Sequence, residues 1–186
     1  MRFLENRQIN FTTIDALCEK IVEKISDHPF DYVVGVETGG WYPGMMIAQL
    51  LGVPQLLITV RRIRGFQKFY RYFPSPLHLL PLVCSEILFL MSTPQLITKL
   101  DSEVEVLIQN KSVLIVDDAI HTGRTMAVAK QYLSSLGAIV KTAVLSNVKG
   151  RAVDYYCLDG VFFYPWSTLS SEHEKFLQVI AERCRV

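Results

Sequence analysis

The sequence lacks the features that would place it in several broad classes. Its four cysteines, Cys18, Cys84, Cys157 and Cys184, lie far apart and form no Cys-x-x-Cys pair. That excludes a disulfide framework and a zinc site of ordinary ligand spacing, and it leaves reduced thiols of the kind found in cytoplasmic proteins. No apolar run is long enough to span a bilayer, since the most apolar stretch, Leu79 to Met91, is interrupted by Pro81 and Glu86. The opening Met-Arg-Phe-Leu-Glu-Asn-Arg has no signal-peptide core, so a cytoplasmic location is expected. Charge of one sign is also missing: 19 basic residues face 18 acidic ones, for a net charge of +1. No global field therefore favours nucleic acid or an anionic membrane. Internal repeats and low-complexity segments are absent. One shortage is local, because no acidic residue occurs between Glu37 and Glu86.

What is present is apolar. Half of the 186 residues are hydrophobic, enough for one domain with a good core and a sheet covered by helices on both faces. The organising stretch runs from Val113 to Met126. Val113-Leu-Ile-Val116 reads as a strand buried on both faces, as in parallel sheets. It leads directly into Asp117 and Asp118, then into Thr122-Gly123-Arg124-Thr125 and a helical pattern. A glycine-centred loop opening a helix offers backbone N–H groups and the positive end of the helix dipole, which suit a phosphate. The two carboxylates are acceptors, suited to hydroxyls or a metal rather than to phosphate. The implied ligand carries a phosphate and a diol, as a ribose 5-phosphate does.

This stretch resembles the phosphoribosyl diphosphate (PRPP) signature of the type I phosphoribosyltransferases: an apolar strand, two acidic residues, three variable residues and Thr-Gly-x-Thr. A pair of aspartates after a strand also occurs in magnesium-dependent phosphotransfer folds, but there the Thr-Gly-Arg-Thr is not expected at this spacing. The resemblance implies an α/β fold: a central, mostly parallel sheet flanked by helices, with a small hood or lid region. It also implies a single domain over 1–186, with a lid insertion at 62–103 and a hood segment and helix at 154–186.

Taken in order, Thr12-Thr13-Ile14-Asp15 reads as a capping box with Thr12 as N-cap, and Ile14, Leu17, Cys18, Ile21, Val22 and Ile25 follow helical spacing. The helix is expected to end by Asp27-His28-Pro29, with His28 solvated. Tyr32 to Val36 reads as the first central strand, running into Glu37-Thr38-Gly39-Gly40. Pro43 suits the first turn of the next helix and Gly52 its stop. A plain tight turn would also use two glycines. The resemblance makes Thr38, Gly39 and Gly40 the loop that holds the diphosphate, with the Glu37–Thr38 peptide cis. Many relatives have Lys or Arg at the position of Thr38, so positive charge must come from elsewhere.

Gln55 to Val60 reads as a strand leading into Arg61-Arg62-Ile63-Arg64-Gly65-Phe66-Gln67-Lys68-Phe69-Tyr70-Arg71-Tyr72. Basic residues among aromatics suit a single-stranded nucleic-acid surface or a solvated hairpin. The resemblance makes them a basic strand end, with Arg61 or Arg62 reaching the diphosphate, followed by a mobile loop that closes over the sugar. From 73 to 101 the pattern is broken by the prolines at 74, 76 and 81. Cys84 to Met91 fits helix or buried strand, and Pro94 to Leu100 reads as a short helix. Val104 to Ile108 reads as a strand, with Asn110-Lys111 a turn. After Thr125 a helix carries Met126, Ala129, Leu133 and Leu136 on one face, and Gly137 ends it. Ile139 to Leu145 is another buried strand. Ser171-Glu172-His173-Glu174 reads as the cap of a C-terminal helix carrying Phe176, Leu177 and Ile180, a candidate subunit contact.

The resemblance then assigns the remaining roles. Lys149, after a strand, matches the lysine that bonds the 6-oxo group in purine enzymes. Asp159 to Trp166 resembles the closing segment of the xanthine–guanine and hypoxanthine enzymes, which often end in Pro-Trp. Val161 falls where an aromatic stacks on the base, and Phe162 is its neighbour. His121 replaces an aspartate that handles the N7 proton of a 6-oxopurine; an imidazole can serve as a base there. The implied reaction transfers 5-phosphoribosyl from PRPP to a nucleobase nitrogen, with Mg²⁺ carried on PRPP and possible to reach from Asp117 and Asp118. A homodimer or higher homo-oligomer is expected, without membrane or nucleic-acid partners. The alternative is a regulatory module of the same fold that binds PRPP or a nucleotide without turnover; Thr38, His121 and Val161 are its departures from the enzymes.

Overall fold

The fold is taken from a computed structural model, which describes residues 7–63, 93–148, 150–167 and 170–183, with the backbone alone at 62, 63, 93 and 179–183. Among these residues eleven elements follow in order. They are α1 (Phe11–Lys24), β1 (Tyr32–Glu37), α2 (Trp41–Leu51), β2 (Gln55–Ile63), β3 (Thr93–Thr98), α3 (Ser102–Leu107), β4 (Ser112–Ile120), α4 (Arg124–Ser135), β5 (Ile139–Asn147), β6 (Tyr155–Asp159) and α5 (His173–Arg183).

The strands form one six-stranded sheet in the order β3-β2-β1-β4-β5-β6. All neighbours pair in parallel except β2 and β3. The expected α/β architecture is therefore present. Alternate residues of the central strands face opposite layers. Val33, Leu114, Val116, Ala143 and Leu145 join α1 and α2 on one face. Val34, Val36, Val113, Ile115 and Val144 join α4 on the other. Each of the Val, Leu and Ile side chains, taken wholly out of water, contributes about 1.5–3 kcal/mol before conformational entropy is set against it. This two-sided burial is why the strands read as unbroken apolar runs.

The chain leaves β1 for β2 in one direction along the sheet and β4 for β5 in the other. The order thus reverses between β1 and β4, and the crevice beyond their carboxyl ends is where open α/β sheets bind ligands.

Several local expectations change. The α1 N-cap is Asn10, whose side chain accepts from Thr13 N–H at 2.8 Å, not Thr12. Asparagine is as good a cap as threonine, and it lies close enough to reach the first-turn amide. Residues 104–108 are helical rather than a strand. Val104 and Ile108 sit one turn apart and face inward, whereas Val106 is 72% exposed, which an alternating strand would not give. Pro94 to Thr98 is an edge strand rather than a helix. Pro94 pairs with Arg62 at the sheet margin, where a missing N–H does little harm. β6 had no separate signal in the sequence. At the α5 entry the Ser171 hydroxyl donates to Gln8 Oε1 at 2.6 Å, while Ser170 Oγ accepts from Glu172 N–H. The 64–92 stretch, including Cys84 to Met91, lies outside the described residues, as do Lys149, Cys184 and the Arg62 and Ile180 side chains.

Candidate active site

Two helices begin side by side at the switch point. Gly40 is the N-cap of α2 and Gly123 that of α4; neither glycine has a side chain to cap with, and at α4 the Thr122 hydroxyl accepts Arg124 N–H at 3.5 Å. Each N-terminus thus turns backbone N–H groups and a positive dipole end toward the crevice. Gly123 has φ 75°, a left-handed turn that suits glycine, and Ala127 N–H closes on its carbonyl at 2.8 Å. Thr122 and Thr125 are half-buried around it, and Arg124 is exposed.

The loop before α2 is tightly seated. The Glu37–Thr38 peptide is cis, as the resemblance implied. Glu37 accepts from the Thr59 hydroxyl of β2 at 2.7 Å. A Cβ on Gly40 would lie 2.1 Å from the Val116 carbonyl oxygen, and one on Gly39 would lie 2.4 Å from the Asp118 carboxylate. The Gly-Gly pair is therefore required by close packing of the loop against β4. Arg61 lies on β2 beyond the Glu37–Thr59 pairing and is exposed.

β4 continues past Val116 through both acids to Ile120, longer than its apolar run suggested. Asp117 Oδ1 accepts Asp118 N–H at 2.9 Å. The Asp118 carboxylate accepts the indole N–H of Trp166 at 2.6 Å, and the Tyr164 hydroxyl donates to the Asp118 carbonyl at 3.2 Å. Tyr164 and Trp166 are stacked, 5.1 Å between centroids and 2° from parallel. Burial drives the Asp118 carboxyl above the ordinary carboxylate range, against the pull of the Trp166 indole, the Ala119 amide, Asp117 and the nearby His121. Burial likewise pushes the Tyr164 hydroxyl up, with the two aspartates adding to it. Tyr164 therefore stays a neutral donor.

A second group of contacts comes from the β5–β6 loop and the segment after β6. Asn147 is buried and brackets the loop, accepting Arg151 N–H at 2.8 Å and donating to the Arg151 carbonyl at 2.9 Å. Arg151 Nε donates to the His121 carbonyl at 3.1 Å, joining this loop to the one before α4. His121 is exposed; Val161 and Phe162 are half-buried, and Phe162 packs on the cluster holding Tyr164. Trp166, Tyr164, Asn147 and Arg151 were not singled out from sequence as site residues. Only the Pro-Trp resemblance pointed toward the first.

Among the described residues no group of three His, Cys, Asp or Glu side chains could hold a metal ion by itself. The Asp117–Asp118 pair nevertheless has the chemistry of a Mg²⁺ site, which takes one or two carboxylates and completes its shell with phosphate oxygens and water. No described helix is long and apolar enough to cross a membrane.

Comparison with known proteins agrees with this geometry. No curated protein sequence matches the chain. Among solved structures it is similar to a purine phosphoribosyltransferase of Pyrococcus horikoshii Ot3, at 22% identity and a TM-score of 0.66 over 87% of this chain and 95% of that one. It is similar to a Neisseria gonorrhoeae protein with bound ppGpp, at 19% identity and a TM-score of 0.66 over 95% and 98% of the two chains. The Helicobacter pylori xanthine-guanine-hypoxanthine phosphoribosyltransferase follows at 11% identity and a TM-score of 0.60 over 93% and 98%. At these identities the likeness is one of fold. The phosphoribosyl transferase domain matches residues 4–163, and the chain belongs to that family as a phosphoribosyltransferase of type I fold.

Proposed function

We propose that the chain transfers 5-phosphoribosyl from PRPP to a ring nitrogen of a 6-oxopurine, releasing diphosphate. The observation that carries this reading is the pairing of two glycine-capped helix N-termini across the acid pair at the β1–β4 switch point. A ligand with a phosphate at each end and a diol between them suits that arrangement. Thr122, Gly123, Arg124 and Thr125 bind the 5-phosphate. Thr38, Gly39 and Gly40 bind the diphosphate, with Arg61 and Arg62 supplying charge. Asp117 and Asp118 accept from the ribose hydroxyls.

Asp117 and Asp118 are the carboxylates that would hold a Mg²⁺ brought with PRPP, and the ion would supply the charge that neutralises the leaving group. The protein's own work is positioning and charge screening. Lys149 donates to the 6-oxo group, Val161 and Phe162 flank the base, and His121 takes the base proton. Covering the sugar excludes water from an oxocarbenium-like transition state.

The test offers PRPP and Mg²⁺ with hypoxanthine, guanine, xanthine, adenine, uracil and orotate in turn, measuring diphosphate release. Release with the first three alone supports the 6-oxopurine reading. Release only with adenine or a pyrimidine overturns it. A second reading, nucleotide sensing without turnover, draws on His121 and on the likeness to the N. gonorrhoeae protein with bound ppGpp. Saturable binding of PRPP or a guanine nucleotide without release supports it.

A further inference from the structure

We propose that Trp166 is a positioning residue for phosphoribosyl transfer, its indole N–H holding the Asp118 carboxylate in the orientation that receives the ribose. This rests on the reaction proposed above. No element of the PRPP motif contains Trp166; it lies 48 residues further along the chain.

Its own placement is fixed by packing. The indole lies flat on buried Tyr164, and Phe176 of α5 meets it edge-on at 6.0 Å and 61°. A ring stacked in this way needs no particular partner for its nitrogen, yet Nε1 meets Asp118 Oδ2 at 2.6 Å, a short bond of the kind that a charged acceptor draws. The Tyr164 hydroxyl grips the main-chain carbonyl of the same residue. One short segment therefore clasps Asp118 by backbone and side chain together. Gly39 presses on the carboxylate from the opposite loop, so a carboxylate released by Trp166 would collide with the diphosphate loop or rotate away.

The titratable groups around Asp118 are Asp117 on β4, His121 in the loop after it and Tyr164 beside Trp166. Gly39 brings no charge. Removing the indole donor leaves the orientation of the carboxylate unheld, so the split between the PRPP KM and kcat reports directly on this contact.

Trp166→Phe keeps a ring over Tyr164 and Phe176 but removes the N–H. The expected result is a folded enzyme whose kcat/KM for PRPP falls about 10- to 100-fold, the scale of one hydrogen bond to a charged group. The loss should fall on the PRPP KM more than on kcat. In the Asp118→Asn background the same substitution should cost nothing further, because Trp166 acts through Asp118. Phe176→Leu, which loosens the packing and spares the N–H, should lower thermal stability and leave the PRPP KM in place.

If Trp166→Phe does not fold, benzothienylalanine at 166, which has the shape of tryptophan without the N–H, carries the same expectations. An active wild type whose Trp166 variants keep the PRPP KM overturns the inference alone. So does full additivity with Asp118→Asn. A wild type that neither binds PRPP nor releases diphosphate overturns the proposed reaction and this inference with it.

Discussion

Gly39 and Asp118 touch: a Cβ built on the glycine would sit 2.4 Å from Oδ2 of the carboxylate and 2.6 Å from Oδ1. The loop after β1 and the acid at the end of β4 are therefore one unit. Gly39→Ala has no room unless the loop or Asp118 moves. The backbone there is not left-handed, so the cost is steric. Overpacking of this kind destabilises by about 1–3 kcal/mol, and a shift approaching an ångström in a positioning group costs about 100-fold in turnover. Denaturant melts and PRPP kinetics measure the two effects separately.

Asp118 should trade stability for function. Its folded-state carboxyl is raised by burial above the value of 3.8 it has when free. Below that value the group is protonated in both states and burial carries no ionic penalty. As pH rises through the folded value the penalty comes into force and persists at neutrality. Asp118→Asn should therefore raise the melting temperature at pH 7, with the gain shrinking toward zero near pH 4. It should at the same time lose at least 10-fold in kcat/KM for PRPP, the scale of one hydrogen bond to a charged acceptor. Thermal melts from pH 4 to 8, run beside activity, test both halves.

The Asn147–Arg151 bracket separates loop integrity from loop coupling. Asn147→Ala leaves Arg151 N–H and C=O without their buried partner, a loss of about 1–3 kcal/mol. Arg151→Ala keeps that bracket and removes only the bond from Nε to the His121 carbonyl. It should leave the melting temperature nearly unchanged and raise the PRPP KM by about 3- to 10-fold, as for one solvent-exposed hydrogen bond.

Asp154 ties β6 to the sheet. Burial alone would raise its carboxyl, but the Thr142 hydroxyl, Lys141 and the Thr142 amide outweigh that and hold it below the usual range. A lowered folded value means stability that is present above the unfolded value and lost as pH falls through the folded one. Asp154→Ala should destabilise by about 1–2 kcal/mol at pH 7, and by progressively less below pH 4. Urea unfolding at pH 7 and pH 3 is the measurement.

The central strands were legible because a strand buried on both faces leaves an unbroken apolar run, and the helix stops because Gly52 and Gly137 take left-handed turns. The phosphate loop was legible because its chemistry is contiguous, from Asp117 to Thr125. Short edge elements were not. Val104, Val106 and Ile108 alternate like a strand, and only the exposure of Val106 shows the helix. Pro94 suggested a helix start where the sheet margin tolerated a proline. The partners of Asp118 and His121 were invisible for another reason: Tyr164, Trp166 and Arg151 reach them across long stretches of chain, and no local spacing records such contacts.

The clasp on Asp118 also sets an order of assembly. Strands β1, β4 and β5 can pair as soon as Asn147 has been made, but the acid at the heart of the crevice waits for residues 164–166. That segment in turn leans on the earliest described part of the chain, through Ile9 N–H to the Phe163 carbonyl and Gln8 to Ser171, 163 residues away. Contacts of such separation close late, after most of the loop entropy has been surrendered. During synthesis the sheet can therefore form before the site does, and a nascent chain stalled before Tyr164 would be folded in outline and chemically silent.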